Sequence, residues 1–105
     1  MTTSIEKTAK HTTALLQETE RIRTALGDSI DLRLAAGHFK AGLEYIAQGK
    51  DLEARHRIFI GRTNLARGIH LAQLDADLTR PYYLAEFYGE EEAVRELLKI
   101  CREVA

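Results

Sequence analysis

The hydrophobic positions of the chain recur mostly at three- and four-residue steps, which is the spacing of amphipathic α-helices. A first helix is predicted over about Ser4–Leu26, and Gly27 suits the left-handed residue that follows a helix end. A second helix is predicted over about Ile30–Gln48, with Asp28–Ser29 supplying its N-cap. The short turn at Gly49–Asp51 predicts that the second and third helices lie antiparallel. The apolar positions of the second helix are Leu32, Leu34, Ala35, Phe39, Leu43, Ile46 and Ala47.

A third helix, predicted from about Leu52 to Leu74, carries apolar residues on two sides. Its first stripe consists of Leu52, His56, Phe59, Thr63, Ala66, His70 and Leu74. Its second stripe consists of Ile58, Leu65, Ile69 and Ala72, with Gly61 and Gly68 beside it. We predict that the first stripe faces the core and that the second is a groove, because its glycines would let a partner helix approach closely. If the first helix covers the second stripe instead, that stripe is ordinary core.

In the C-terminal part of the chain, a polar segment interrupts the helical pattern, and further helical structure is predicted after it. Pro81 suits the first position of a short extra helix, and several aromatic residues follow it. Adjacent Tyr82 and Tyr83 cannot both face inward from one helix, so one of them is predicted to lie at the rim, available to a partner. A last amphipathic helix places its apolar residues at Ala93, Val94, Leu97, Leu98, Cys101 and Val104.

These segments together predict one domain over residues 1–105, an all-α antiparallel four-helix bundle, with the short extra helix as a possible addition. The third helix is predicted to be central, because a helix that is apolar on two sides must contact two sets of neighbours.

Composition and charge exclude several classes of protein. Fifteen Lys and Arg residues against sixteen Asp and Glu residues give a net charge of −1, which argues against a general nucleic-acid-binding protein. Cys101 is the single cysteine, so no internal disulfide forms and no oxidising compartment is required. The chain shows neither a signal-peptide core nor an apolar run near the ~20 residues that span a bilayer. We therefore predict a cytoplasmic protein without membrane insertion.

Candidate catalytic and metal-binding residues are few. Glu53 and His56 form one Glu-x-x-His step, but a di-iron site in a helical bundle needs a second step, which the chain lacks. His56 and His70 are separated by ~21 Å of helix, too far to share one ion. We expect both histidines to be partly buried and Cys101 to be a buried structural thiol. The sequence thus predicts no enzyme, no metal and no cofactor.

From the second helix onward, the chain resembles the flagellin-specific export chaperone family of bacterial flagella. Leu43–Asp51 is similar to the helix of that family that ends in a Gly-Asp-type turn. Ile58–Arg62 and Leu74–Asp75 have the spacing of its third helix and of the Leu-Asp step that closes it. Leu84–Tyr88 is similar to the Leu-x-x-Leu-Tyr step that opens its last helix. These motifs cover about the C-terminal two-thirds of the chain.

The resemblance implies a cytoplasmic, non-enzymatic chaperone that holds a secreted helical client, either flagellin or another exported helical protein, in apolar grooves. The alternative is a self-assembling structural or regulatory module that uses the same stripe as a homodimer interface. The predicted partner-binding residues are Ile58, Gly61, Leu65, Gly68, Ile69, Tyr82 and Tyr83.

Overall fold

A computed structural model describes residues 4–73 and 89–104, and these residues contain no β-strand. The four helices of the described residues are α1 (Ser4–Leu26), α2 (Ile30–Ala47), α3 (Asp51–Gln73) and α4 (Gly89–Glu103). The predicted all-α bundle is confirmed, and the bounds of α1 and α2 and the start of α3 agree with the predicted ones to within one residue. Pro81 and the extra helix predicted to begin there lie outside the described residues.

The turns between the first three helices follow from local sequence. Ser29 caps α2, because its Oγ accepts a hydrogen bond of 3.1 Å from the backbone N–H of Leu32. Gly27 and Gly49 have φ values of +91° and +75°, a left-handed conformation that glycine adopts without steric cost. After α2, the N–H of Gly49 donates to the carbonyl of Ile46, and that of Lys50 donates to the carbonyl of Tyr45. This pair of bonds is a Schellman motif, which ends α2 and reverses the chain directly into α3.

The contact between α2 and α3 is the most extensive in the bundle, and glycines make it close. A methyl group added at Gly61 would lie 2.7 Å from a ring carbon of Phe39, and one added at Gly68 would lie 2.7 Å from a methyl of Leu32. Phe39 and Leu32 are fully buried in this contact. The order of these pairs along the two helices confirms that α2 and α3 run antiparallel.

We expect Gly61→Ala to destabilise the protein and Gly37→Ala to stabilise it. Alanine favours a helix interior over glycine by about 1 kcal/mol at either position. At Gly61 the added methyl must displace the buried ring of Phe39, and such overpacking costs about 1–3 kcal/mol. At Gly37 no atom lies within 4 Å of the added methyl. Urea unfolding of both variants measures the difference, and a stabilised Gly61→Ala would contradict the close contact of α2 with α3.

The threonine-rich helix α1 is docked on the bundle. Thr8, Thr12 and Thr19 are buried, and each hydroxyl donates to the backbone carbonyl four residues earlier at 2.7–3.0 Å. These bonds satisfy the hydroxyl groups, so that the threonines can lie on the same buried face as Leu15 and Ile22.

Helix α4 packs mainly on α1, and of its predicted apolar positions all are buried except Leu98, which is half-buried. Val94, Leu97 and Cys101 are buried in the common core. Arg21 of α1 donates to the backbone carbonyls of Cys101 at 2.6 Å and Val104 at 3.1 Å. The carbonyl of Cys101 also accepts from the N–H of Val104 at 3.1 Å, so the guanidinium adds a second donor to it and ties the end of α4 to α1.

The predicted central position of α3 agrees with its contacts to all three other described helices, although α1 also touches all three. The predicted orientation of α3 is wrong, however. Its second stripe faces the core, and the N-terminal half of its first stripe, at Leu52, His56 and Phe59, is exposed. Leu34, one of the apolar positions of α2, is exposed as well. The N-terminal half of the first stripe is not buried because α2 packs on the glycine side of α3. This packing turns Leu52 and Phe59 away from the bundle.

Candidate functional site

The partner-binding stripe predicted on α3 is part of the core of the bundle. Ile58, Leu65 and Ile69 are at most 1% exposed, and Gly61 and Gly68 are buried as well. The prediction of an open groove at these five residues is therefore wrong. The expected close approach of a neighbouring helix does occur, but the neighbour is α2 of the same chain, whose side chains occupy the space over both glycines.

The other two predicted partner-binding residues, Tyr82 and Tyr83, lie outside the described residues. Their contact with a partner stays a prediction.

The outward side of α3 carries two of the four large apolar residues that are exposed among the described residues; the other two, Ile30 and Leu34, lie on α2. Leu52 is 80% exposed and Phe59 is 43% exposed. These two residues are seven positions apart, with His56 between them, so all three project from one side of the helix. Together with Glu53 and Arg55 of the same helix they line a shallow, open depression of about 560 Å³. We call this surface the outer α3 groove.

Two arginine side chains at the border of the outer α3 groove are held by hydrogen bonds or by a cation–π contact. Arg55 donates to Thr8 Oγ1 at 3.3 Å and to Ser4 Oγ at 3.2 Å, which directs its side chain across to α1. The guanidinium of Arg62 lies 5.8 Å from the ring centroid of Phe59, within the range of a cation–π contact. The groove thus has an apolar floor with a polar border, the arrangement typical of protein-binding surfaces.

A second and smaller cleft lies between α1 and α4. It has a volume of about 170 Å³ and is lined by His11, Glu91, Val94, Arg95, Leu98 and Arg102. Arg95 forms ion pairs with Glu91 at 3.9 Å and Glu92 at 2.7 Å. Because these exposed pairs partly neutralise the cleft, it offers no concentrated charge to a small ligand.

The chemistry of the described residues does not assemble a reactive site. Cys101 is buried, as predicted, and burial together with the charge of Glu18 raises the pKa of its thiol to about 12. The thiol is therefore protonated at neutral pH and is a poor nucleophile. His56 is exposed rather than partly buried, whereas His70 is half-buried, as expected.

Residues 4–73 and 89–104 contain neither a metal-binding cluster nor a membrane-spanning helix. In that part of the chain no three His, Cys, Asp or Glu side chains are grouped closely enough to hold a metal ion. Within the same residues, no helix combines the length and the apolar character needed to cross a membrane.

The only signal in the sequence for the outer α3 groove is the presence of large apolar residues on that side of the helix. Leu52 and Phe59 are large apolar residues on a helix whose opposite side is also apolar, so each side was a candidate for contact with a partner. Comparison with known proteins does not identify the surface: no protein-family model, curated protein or solved structure matches the chain.

Proposed function

We propose that the protein is a non-enzymatic chaperone that binds a helical segment of an exported protein client in the outer α3 groove. The observation that carries this proposal is the exposure of Leu52 and Phe59 on the same face of a helix, two turns apart. Large apolar side chains that are seven positions apart match the anchor spacing with which one amphipathic helix packs on another.

The size of the groove supports a segment of a client rather than a large rigid partner. Burying one exposed leucine or phenylalanine side chain contributes about 1.5–3 kcal/mol. Leu52 and Phe59 together therefore supply several orders of magnitude in affinity at most, since each 1.4 kcal/mol is tenfold. That range suits reversible binding of a client that must later be released.

The nature of the client follows from the resemblance of Leu43–Asp51, Ile58–Arg62 and the later motifs to the flagellin-specific export chaperones. We propose flagellin, or another exported helical protein, as the client and the cytoplasm as the compartment. Covering an amphipathic segment of the client before export would keep its own assembly surface away from other copies.

We expect Leu52→Glu to weaken client binding at least about tenfold, because a carboxylate in the apolar floor must lose its hydration when the client helix docks. Ile30→Glu is the matched control, since Ile30 is also an exposed aliphatic residue, at 68%, but lies at the start of α2 and outside the groove. Fluorescence anisotropy with labelled flagellin monomer from the organism that encodes the chain measures both affinities.

Two results of that titration would contradict the proposal. Flagellin and a panel of other exported helical proteins would all fail to bind the unmodified chain, or Leu52→Glu and Ile30→Glu would bind a client equally well. The first result would contradict the proposed chaperone function. The second would contradict the outer α3 groove as the binding site.

The alternative of a self-assembling module placed its interface at the stripe of Ile58, Leu65 and Ile69. Because this stripe is buried within one chain, a dimer through it would require the bundle to open. Light scattering at high micromolar concentration measures the oligomeric state. A dimer that Leu52→Glu dissociates would favour self-assembly through the outer α3 groove over client binding.

A further inference from the structure

His38 of α2 and Arg57 of α3 meet across the most extensive helix contact in the bundle. The Nη1 atom of Arg57 lies 3.3 Å from Nδ1 of His38. A guanidinium group can only donate hydrogen bonds, so Nδ1 of His38 accepts and the proton of the neutral ring is on Nε2. The contact therefore exists only while Nδ1 is unprotonated.

The surroundings of His38 oppose a positive charge on its ring. Burial lowers the pKa of His38, and the charge of Arg57 and the proximity of His56 lower it further. Both of these groups belong to α3. On α2 itself, the residues three and four positions from His38 carry no charge: Leu34, Ala35, Ala41 and Gly42.

The backbone at this point is fixed by packing. A methyl group added at Gly61 of α3 would lie 3.3 Å from Cβ of His38 and 2.7 Å from the ring of Phe39. The two helices cannot separate here without withdrawing the fully buried Phe39 from the core. A charge on His38 must therefore be accommodated by the side chains of His38 and Arg57, not by the helices.

We propose that His38 and Arg57 form a proton-sensitive latch between α2 and α3: protonation of His38 Nδ1 expels the Arg57 guanidinium from the contact and lowers the stability of the bundle, while α2 and α3 keep their positions. Protonation removes the acceptor of the hydrogen bond and places two cations against each other. This device is independent of the proposed client binding and holds for the chain on its own.

The sign of the pH effect follows from the lowered pKa. In the unfolded chain His38 takes up a proton near its ordinary value of about 6.5, whereas the folded protein takes it up at lower pH. The unfolded state therefore binds more protons between the two values, and the stability that is present above about pH 6.5 is lost as the pH falls through this window. Each pKa unit by which folding lowers the pKa of His38 changes the folding equilibrium constant by up to tenfold.

NMR titration of the unmodified chain tests the latch without any substitution. We expect the His38 ring to be the Nε2–H tautomer at neutral pH and to titrate below about 6.5. In Arg57→Met the His38 pKa is expected to rise, because the neighbouring cation is gone. A His38 ring that is protonated at Nδ1 when neutral, or that titrates at or above its ordinary value, would overturn the proposal.

Urea unfolding at about pH 7.5 and about pH 5.5 gives the second readout, since carboxylates stay ionised over most of this range. We expect the loss of stability on acidification to be smaller in His38→Gln than in the unmodified chain. The matched control is His11→Gln, which removes a half-buried histidine of the α1–α4 cleft and is expected to retain the full loss. Equal pH dependence in His38→Gln and the unmodified chain would show that the latch does not operate.

Discussion

Leu65→Glu is expected to unfold the protein at neutral pH. Leu65 has no exposed surface and lies in the core shared by all four described helices. Loss of its packing costs about 2–5 kcal/mol, and a carboxylate left without a partner in the core adds several kcal/mol more. The sum is comparable with the whole stability of a small domain, about 5–15 kcal/mol.

The matched control for this substitution is Leu52→Glu, which makes the same chemical change on the same helix. Leu52 is mostly exposed, so we expect its variant to keep the helical content and melting temperature of the unmodified chain to within a few degrees. Circular dichroism and thermal unfolding distinguish the two. A folded Leu65→Glu that unfolds cooperatively at an unchanged temperature would show that the Ile58–Leu65–Ile69 stripe is accessible, as the sequence predicted.

Phe39→Ala is expected to lower the free energy of unfolding by about 3–5 kcal/mol. Phe39 is fully buried, and its ring fills the notch that Gly61 leaves on α3. Alanine leaves this space empty on both sides, since no side chain at Gly61 can move into it. The substitution therefore removes the main contact that sets the distance between α2 and α3.

Phe59→Ala is the control with the same change of side chain. Phe59 lies outside the core, and its exposed ring contacts the guanidinium of Arg62. We expect its loss to cost about 1–2 kcal/mol, because only a little more than half of Phe59 is buried, whereas Phe39 is buried completely. Urea unfolding of both variants measures the difference. Equal destabilisation by the two substitutions would contradict the assignment of Phe39 to the core and Phe59 to the outer α3 groove.

The two sides of α3 connect these expectations to function. If the glycine side holds α2, as the contacts of Gly61 and Gly68 indicate, then that side is committed to the fold and cannot serve a client without unfolding part of the bundle. The opposite side, with Leu52 and Phe59, can bind or lose a partner while the core stays intact. A chaperone that repeatedly binds and releases its client needs this separation of the binding surface from the core.

Residues that act through their immediate neighbours were predictable from the sequence alone. Gly27 and Gly49 end helices because only glycine adopts a left-handed backbone without cost, and Ser29 begins α2 through a bond to an N–H three residues away. The buried face of α4 was also predictable, because that helix has one apolar side and therefore one possible orientation.

The orientation of α3 was decided only by the tertiary structure. Both of its sides are apolar, so periodicity along the helix cannot say which one is buried. The decision depends on the shape of a helix elsewhere in the chain: Phe39 and Leu32 of α2 fit over Gly61 and Gly68, which buries the second stripe and leaves Leu52 and Phe59 outside. The position of Arg57 against His38 has the same origin, because the two residues are nineteen positions apart and meet only after that packing is made. Hydrogen bonds between near neighbours thus determined where helices begin and end. The fit between side chains distant in sequence determined which apolar side of α3 remains exposed.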